Sequence, residues 1–135
     1  MNKDVATFEA KCAKCGSQFE HPSFGDFTYG EIILYTIDGL QKAWANAFSA
    51  FPQRVKSMLD PPRSKKFWEI LASVADPIDG QKLVAKIVCP NCASDHMDYW
   101  NGKQIGVTPI QEATFSHLCE LDDATLAIEI AAVTD

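Results

Sequence analysis

This 135-residue chain is marked first by what it lacks. No stretch approaches the roughly 18 uninterrupted apolar residues of a membrane-crossing helix, so no membrane span is expected. The segment Met1 to Glu9 has no apolar h-region, so no secretory signal is expected either. There is no P-loop, no glycine-rich nucleotide motif, no G-x-S-x-G elbow and no H-E-x-x-H helix. The deaminase pattern of H-x-E followed by P-C-x-x-C is also missing, because His21, His96 and His117 are followed two residues on by Ser23, Asp98 and Cys119. These absences remove the common signatures of phosphate, acyl-transfer and hydrolytic metal chemistry. Internal repeats and low-complexity segments are absent as well. Positive charge is scarce in the last third. Residues 87–135 hold Lys103 alone against eight acids, whereas residues 1–86 hold 11 basic and 10 acidic side chains. The formal net charge of −6 opposes broad binding to a phosphate backbone.

What is present is cysteine in pairs. Cys12-Ala13-Lys14-Cys15-Gly16 and Cys89-Pro90-Asn91-Cys92 are two CxxC motifs. Four thiolates in two tight turns meet the tetrahedral preference of zinc, with Zn–S bonds of about 2.3 Å. Cys12, Cys15, Cys89 and Cys92 are therefore the expected ligands of one structural Zn2+ ion. Iron is the alternative metal for four thiolates. Free thiols point to a reducing, cytoplasmic compartment. Cys119 is left over and reads as a buried small hydrophobe.

The two motifs, each beside an expected strand, resemble those of zinc-ribbon domains. That resemblance implies two knuckles gripping one structural zinc, with Gly16 serving the tight turn of the first. Ala93 stands where the second knuckle commonly has glycine. The resemblance covers the knuckles and their flanking strands, about 40 residues. Zinc ribbons serve many unrelated functions, so it assigns none.

The fold is expected to be α+β and a single domain over residues 1–135, with a zinc-ribbon-like strand module formed by both chain ends and a mainly helical insertion over about 39–79. Short strands are expected at Thr7–Lys11, Ser17–Glu20 and Glu31–Ile37, the last ending at the Asp38-Gly39 turn. Leu40, Ala43, Trp44, Ala47, Phe48 and Phe51 follow helical spacing, with Pro52 kinking or ending that helix. Val55, Met58 and Leu59 suggest another helical turn, Asp60-Pro61-Pro62-Arg63 a break, and Ser64 a cap for a helix to Ala75. Leu83–Val88 reads as a strand leading to the second knuckle. Met97–Trp100 and Gln104–Val107 read as a hairpin across Asn101-Gly102, and Ala113–Leu118 as a last strand. Asp122 or Asp123 caps a terminal helix with Leu126, Ile130 and Val133 on its apolar side.

Three functions are weighed beside that of an enzyme with an unrecognised site, for which a deep pocket with convergent polar groups would be the sign. The first is a non-enzymatic, acidic, zinc-stabilised binding protein, such as an inhibitor or immunity protein. Its basic protein partner would meet Glu112, Glu120, Asp122, Asp123 and Glu129. The second is a nucleic-acid-associated ribbon using Arg54, Lys56, Arg63, Lys65 and Lys66 with an aromatic such as Phe67 or Trp68; global acidity opposes it. The third is redox chemistry at Cys89-Pro90-Asn91-Cys92, which needs a helix to start at the motif. Ala93-Ser94-Asp95-His96 is a poor helix start.

Overall fold

A computed structural model describes residues 2–24 and 30–134. Most of the aromatic segment Phe24–Tyr29, read as a loop or irregular edge, lies outside the described residues. The architecture is α+β. Strands β1 (Asn2–Cys12), β2 (Gln18–Pro22), β3 (Glu31–Thr36), β4 (Lys42–Asn46), β5 (Leu83–Val84) and β6 (Met97–Glu112) build one mixed sheet. Their spatial order is β2-β1-β6-β4-β3-β5. Helices α1 (Ala50–Ser57), α2 (Pro61–Ser64) and α3 (Phe67–Val74) follow β4, and α4 (Asp123–Thr134) ends the chain.

Side-chain alternation along a strand sends neighbours to opposite faces, and here it divides the core in two. Leu34, Ala43 and Ala45 pack with Val55, Phe67, Leu71, Val74, Leu126 and Ile130 on the helix side. Ile33, Tyr35 and Trp44 point the other way, joining Val5, Val88 and Ile110.

Several expectations need correction. The helix read from Leu40 to Phe51 is instead β4 followed by a turn, with helix only from Ala50. Its spacing satisfies both periods. Ala43, Ala45 and Ala47 form one buried row and Trp44 faces away, and pairing with β3 over five positions decides for the strand. The 39–79 insertion is therefore not mainly helical apart from the sheet; it contributes a strand between β3 and β6. Pro52 lies in the first turn of α1, where a missing N–H costs nothing. The Asp60-Pro61-Pro62-Arg63 segment is a single helical turn, with Asp60 Oδ1 accepting the Arg63 N–H at 3.1 Å.

The expected hairpin is also absent. Met97–Glu112 is one strand, paired with β1 along most of its length. Phe8 faces Gln104 and Ala10 faces Trp100, so Asn101, Gly102 and Lys103 bulge out opposite Glu9. The turn-prone pair is absorbed as a bulge because the 11-residue β1 templates both halves on one side. Ala113–Leu118 is loop and turn rather than strand. Asp76 fixes it: its Oδ2 accepts the Thr114 hydroxyl (2.7 Å), the Ser116 N–H (2.8 Å) and the Ser116 hydroxyl (2.6 Å). His117 Nδ1 meets its Oδ1 at 2.5 Å. Likewise only Leu83–Val84 of the expected 83–88 strand pairs in the sheet, with Tyr35 and Thr36.

Candidate metal centre

Cys12 is the last residue of β1, and Met97, the first of β6, pairs with it. The exit of the second knuckle is thus laid beside the entrance to the first. Each knuckle closes in the same way. In the first, the Cys12 N–H donates to Ser17 O (2.9 Å) and the Gly16 N–H to Cys12 O (3.0 Å). In the second, the Cys89 N–H donates to Ser94 O (2.8 Å) and the Ala93 N–H to Cys89 O (2.9 Å). Gly16 and Ala93 occupy equivalent positions and share a left-handed backbone, with φ of 74° and 64°. The Ala13 N–H donates to His96 O at 2.9 Å and ties the two turns together.

This framework gathers the four sulfurs within 4.8 Å of one another. Cys12 and Cys92 sulfurs are 3.5 Å apart, and those of Cys15 and Cys89 are 3.6 Å apart. A disulfide needs about 2.05 Å, so all four are free thiols. A tetrahedral ion with bonds of about 2.3 Å places its sulfurs about 3.8 Å apart. The cluster fits that cage. Cys12 and Cys89 are buried, Cys92 half-buried and Cys15 exposed; Cys119, expected to be buried, is exposed in the turn before α4.

Hydrogen bonds prepare the cluster for negative charge. The Asn91 side-chain amide approaches Cys15 Sγ at 3.5 Å, and the Asn91 N–H approaches Cys89 Sγ at 3.4 Å. The Asn91 amide, helped by the Ser17 N–H, lowers the Cys15 thiol to about 6. The Cys15 backbone N–H lowers Cys12, outweighing its burial. At Cys92 the Ser94 N–H favours the thiolate, but burial and the three neighbouring sulfurs outweigh it and push the thiol up to about 12. Four crowded sulfurs cannot all ionise without a cation among them. A divalent metal held there would supply that charge.

The sequence named these four residues, but not Asn91, the Ser17 and Ser94 carbonyls, or the strain at Ala93. The Ala93 strain had a signal, because alanine replaces the usual glycine.

The five acids proposed for a partner face are not a uniform set. Asp122 caps α4, its Oδ1 accepting the Thr125 N–H at 2.7 Å. Asp123 pairs with Arg54 Nε at 3.0 Å. Glu112 is half-buried at the end of β6, whereas Glu120 and Glu129 are exposed. In the basic cluster, Arg54 also donates to the Cys119 and Leu121 carbonyls. Arg63 is held by Asp60 and the Met58 carbonyl. Lys56 lies 6.0 Å from the Phe67 ring, which is itself buried in the core. No helix begins at Cys89; turn and coil run from there to His96. No described helix is long and apolar enough to cross a membrane. No protein-family model matches this chain, and neither does any curated protein or solved structure.

Proposed function

We propose that the protein is a zinc-stabilised binding domain without catalytic activity, in which Cys12, Cys15, Cys89 and Cys92 hold one structural zinc ion. The observation that carries this reading is the closed donor set, four sulfurs within 4.8 Å on two matched knuckles. Four protein ligands leave a tetrahedral ion no open position for substrate, which separates structural from catalytic zinc. A reducing, cytoplasmic compartment suits the free thiols.

Its binding role is toward a basic protein partner, in the manner of an inhibitor or immunity protein. Support comes from the single base among residues 87–135 and from the exposure of Glu120 and Glu129. Asp122 and Asp123 already serve α4 and Arg54, so Glu120 and Glu129 are the acids free to steer a partner. The nucleic-acid reading loses Arg54, Arg63 and Phe67 to internal contacts. The redox reading lacks the helix start that would activate Cys89.

Native mass spectrometry of protein purified without added metal, repeated after chelation, tests the first part. One bound zinc is expected, and no metal or a disulfide mass shift would refute it. A Glu120→Lys/Glu129→Lys variant tests the second part. It should keep its zinc and lose a basic partner that the wild type retains at low salt; equal retention would remove the acidic face from the proposal.

A further inference from the structure

Helix α4 is apolar nearly all round. Leu126 and Ile130 face inward and are buried in the core on the helix side of the sheet. On the opposite side Ala124, Ala127, Ile128 and Ala132 are exposed, Ile128 to 69%. These four recur at i, i+3, i+4 and i+8, which sets them in one stripe along the helix. Glu129 is the only charged residue between Ala124 and Val133. A surface helix ordinarily turns charged side chains to water, and one that is apolar all round is ordinarily buried. Single exposed apolar residues are normal on any surface, whereas a continuous apolar stripe rimmed by polar groups marks a place of contact. Packing within this chain accounts for Leu126 and Ile130 and leaves the outer stripe uncovered.

The charge around the stripe selects its occupant. Glu120, Asp122, Asp123 and Glu129 lie just before or along the helix, and no lysine or arginine follows Lys103. Arg54 offsets Asp123 alone. Glu129, one turn from both Thr125 and Ala132, borders the stripe directly. A second copy of the chain would bring the same acids and no base to the contact, setting like charge against like. An anionic membrane surface is disfavoured for the same reason, since helices that lie on one carry lysine and arginine. A segment that combines apolar residues with bases satisfies both the stripe and its rim. The form of that segment follows from the surface. Alanines at three of the four stripe positions let another backbone approach closely, and the rows of side chains on one helix receive those of another as ridges in grooves. Resting on the proposal of a basic protein partner, we infer that the outer face of α4 docks a basic amphipathic helix of that partner. Its apolar residues lie over Ile128 and the alanines, and its lysines or arginines meet Glu129 and Glu120.

Titration of the full chain at low salt with three synthetic peptides of about 14 residues, roughly four helical turns, tests it by fluorescence anisotropy and 1H–15N NMR. The first is a leucine–lysine peptide with its leucines at helical spacing. The second is its scramble, with the same composition and no apolar face. The third replaces every lysine of the first with glutamate. The first should bind saturably and shift the Thr125, Ile128 and Ala132 amides. The scramble should bind at least about tenfold more weakly, because charge alone adds little affinity at an exposed rim. The glutamate peptide should not bind. Ile128→Ser should weaken the first peptide at least about fivefold, as truncation of a central apolar contact does, and should melt as the wild type does because the side chain is exposed. Glu129→Gln should bind more weakly and with a smaller dependence on salt. Equal binding of the scramble, or undiminished binding by Ile128→Ser, would overturn the inference and leave the acidic-face proposal standing on charge alone. Failure of both lysine peptides to bind would overturn the inference and the acidic-face proposal together. A concentration-dependent dimer that Ile128→Ser abolishes would also overturn the inference, by giving the stripe to a second copy of the chain.

Discussion

At the level of single residues, the two knuckles differ at one informative position. Gly16 adopts its left-handed φ without penalty, whereas Ala93 crowds its Cβ against the following carbonyl. Ala93→Gly should therefore stabilise the metal-bound protein by about 0.5–1 kcal/mol, read as an unchanged zinc content with a higher denaturation midpoint; a lower midpoint would show that the strain is absent. Gly39 is the opposite case. It has φ 76°, and a Cβ there would lie 2.7 Å from the Cys89 carbonyl oxygen. Gly39→Ala should cost more than about 2 kcal/mol, combining left-handed strain with overpacking against the second knuckle. Asp76 adds a pH dependence. Burial alone would raise its carboxyl, but the Ser116 hydroxyl and N–H, the Thr114 hydroxyl and His117 hold it far below its ordinary 3.8. A depressed carboxyl stabilises the fold fully above its unfolded value and loses that contribution as acid protonates it. Asp76→Asn should melt lower at neutral pH and show a flatter decline below about pH 4, and parallel pH curves for the two proteins would rule this out. Of the candidate site, the ligands were legible because CxxC is a local signal. Asn91 and Asp76 were not, since their roles depend on partners 76 and 40 residues away.

At the level of elements, capping is the most local test. Asp122 accepts the Thr125 N–H and its carbonyl accepts that of Leu126, so it ends the turn before α4 and starts the helix. Asp122→Ala should lower the melting temperature by a few degrees with loss of helical circular dichroism, whereas Glu120→Ala, in an exposed turn, should change neither. An equal effect from both would mean that charge rather than capping matters. That cap, the Asp38-Gly39 turn and the α3 face could be read from the chain because each is fixed within a few residues. β4 could not. Leu40, Ala43, Trp44, Ala47, Phe48 and Phe51 fit a helix, and only the facing β3 reveals the two-residue period. The Asn101-Gly102 pair misled for the same reason: a turn signal says that the chain can bend, and β1 determines that it bulges and continues.

At the level of the whole molecule, the cysteine cluster joins parts of the chain that the sheet holds only in part. Cys12 and Cys15 sit at the β1–β2 turn, and Cys89 and Cys92 follow β5 after β3, β4 and three helices. β1 and β6 pair directly, but β6 meets β4 in register only at Ala43–Gln111 and Trp44–Glu112. The sheet is thus two antiparallel groups joined by a short parallel seam, and the cysteine cluster is a second clasp between them. Closing so long a loop removes freedom from the unfolded chain, and binding that requires the folded ligand set adds its free energy to folding. Cys89→Ser should abolish metal retention and lower the melting temperature by more than about 10 °C. Chelation of the wild type should reproduce that loss, and re-added zinc should reverse it. Because Cys89 is fully buried beside the Gly39 turn, the substitution alone could act through packing. Cys15→Ser, at an exposed position, separates the two causes: it should lose the metal and melt as low as Cys89→Ser. If Cys15→Ser instead keeps the wild-type melting temperature while losing zinc, the clasp is dispensable and the short parallel seam is sufficient to hold the two groups together.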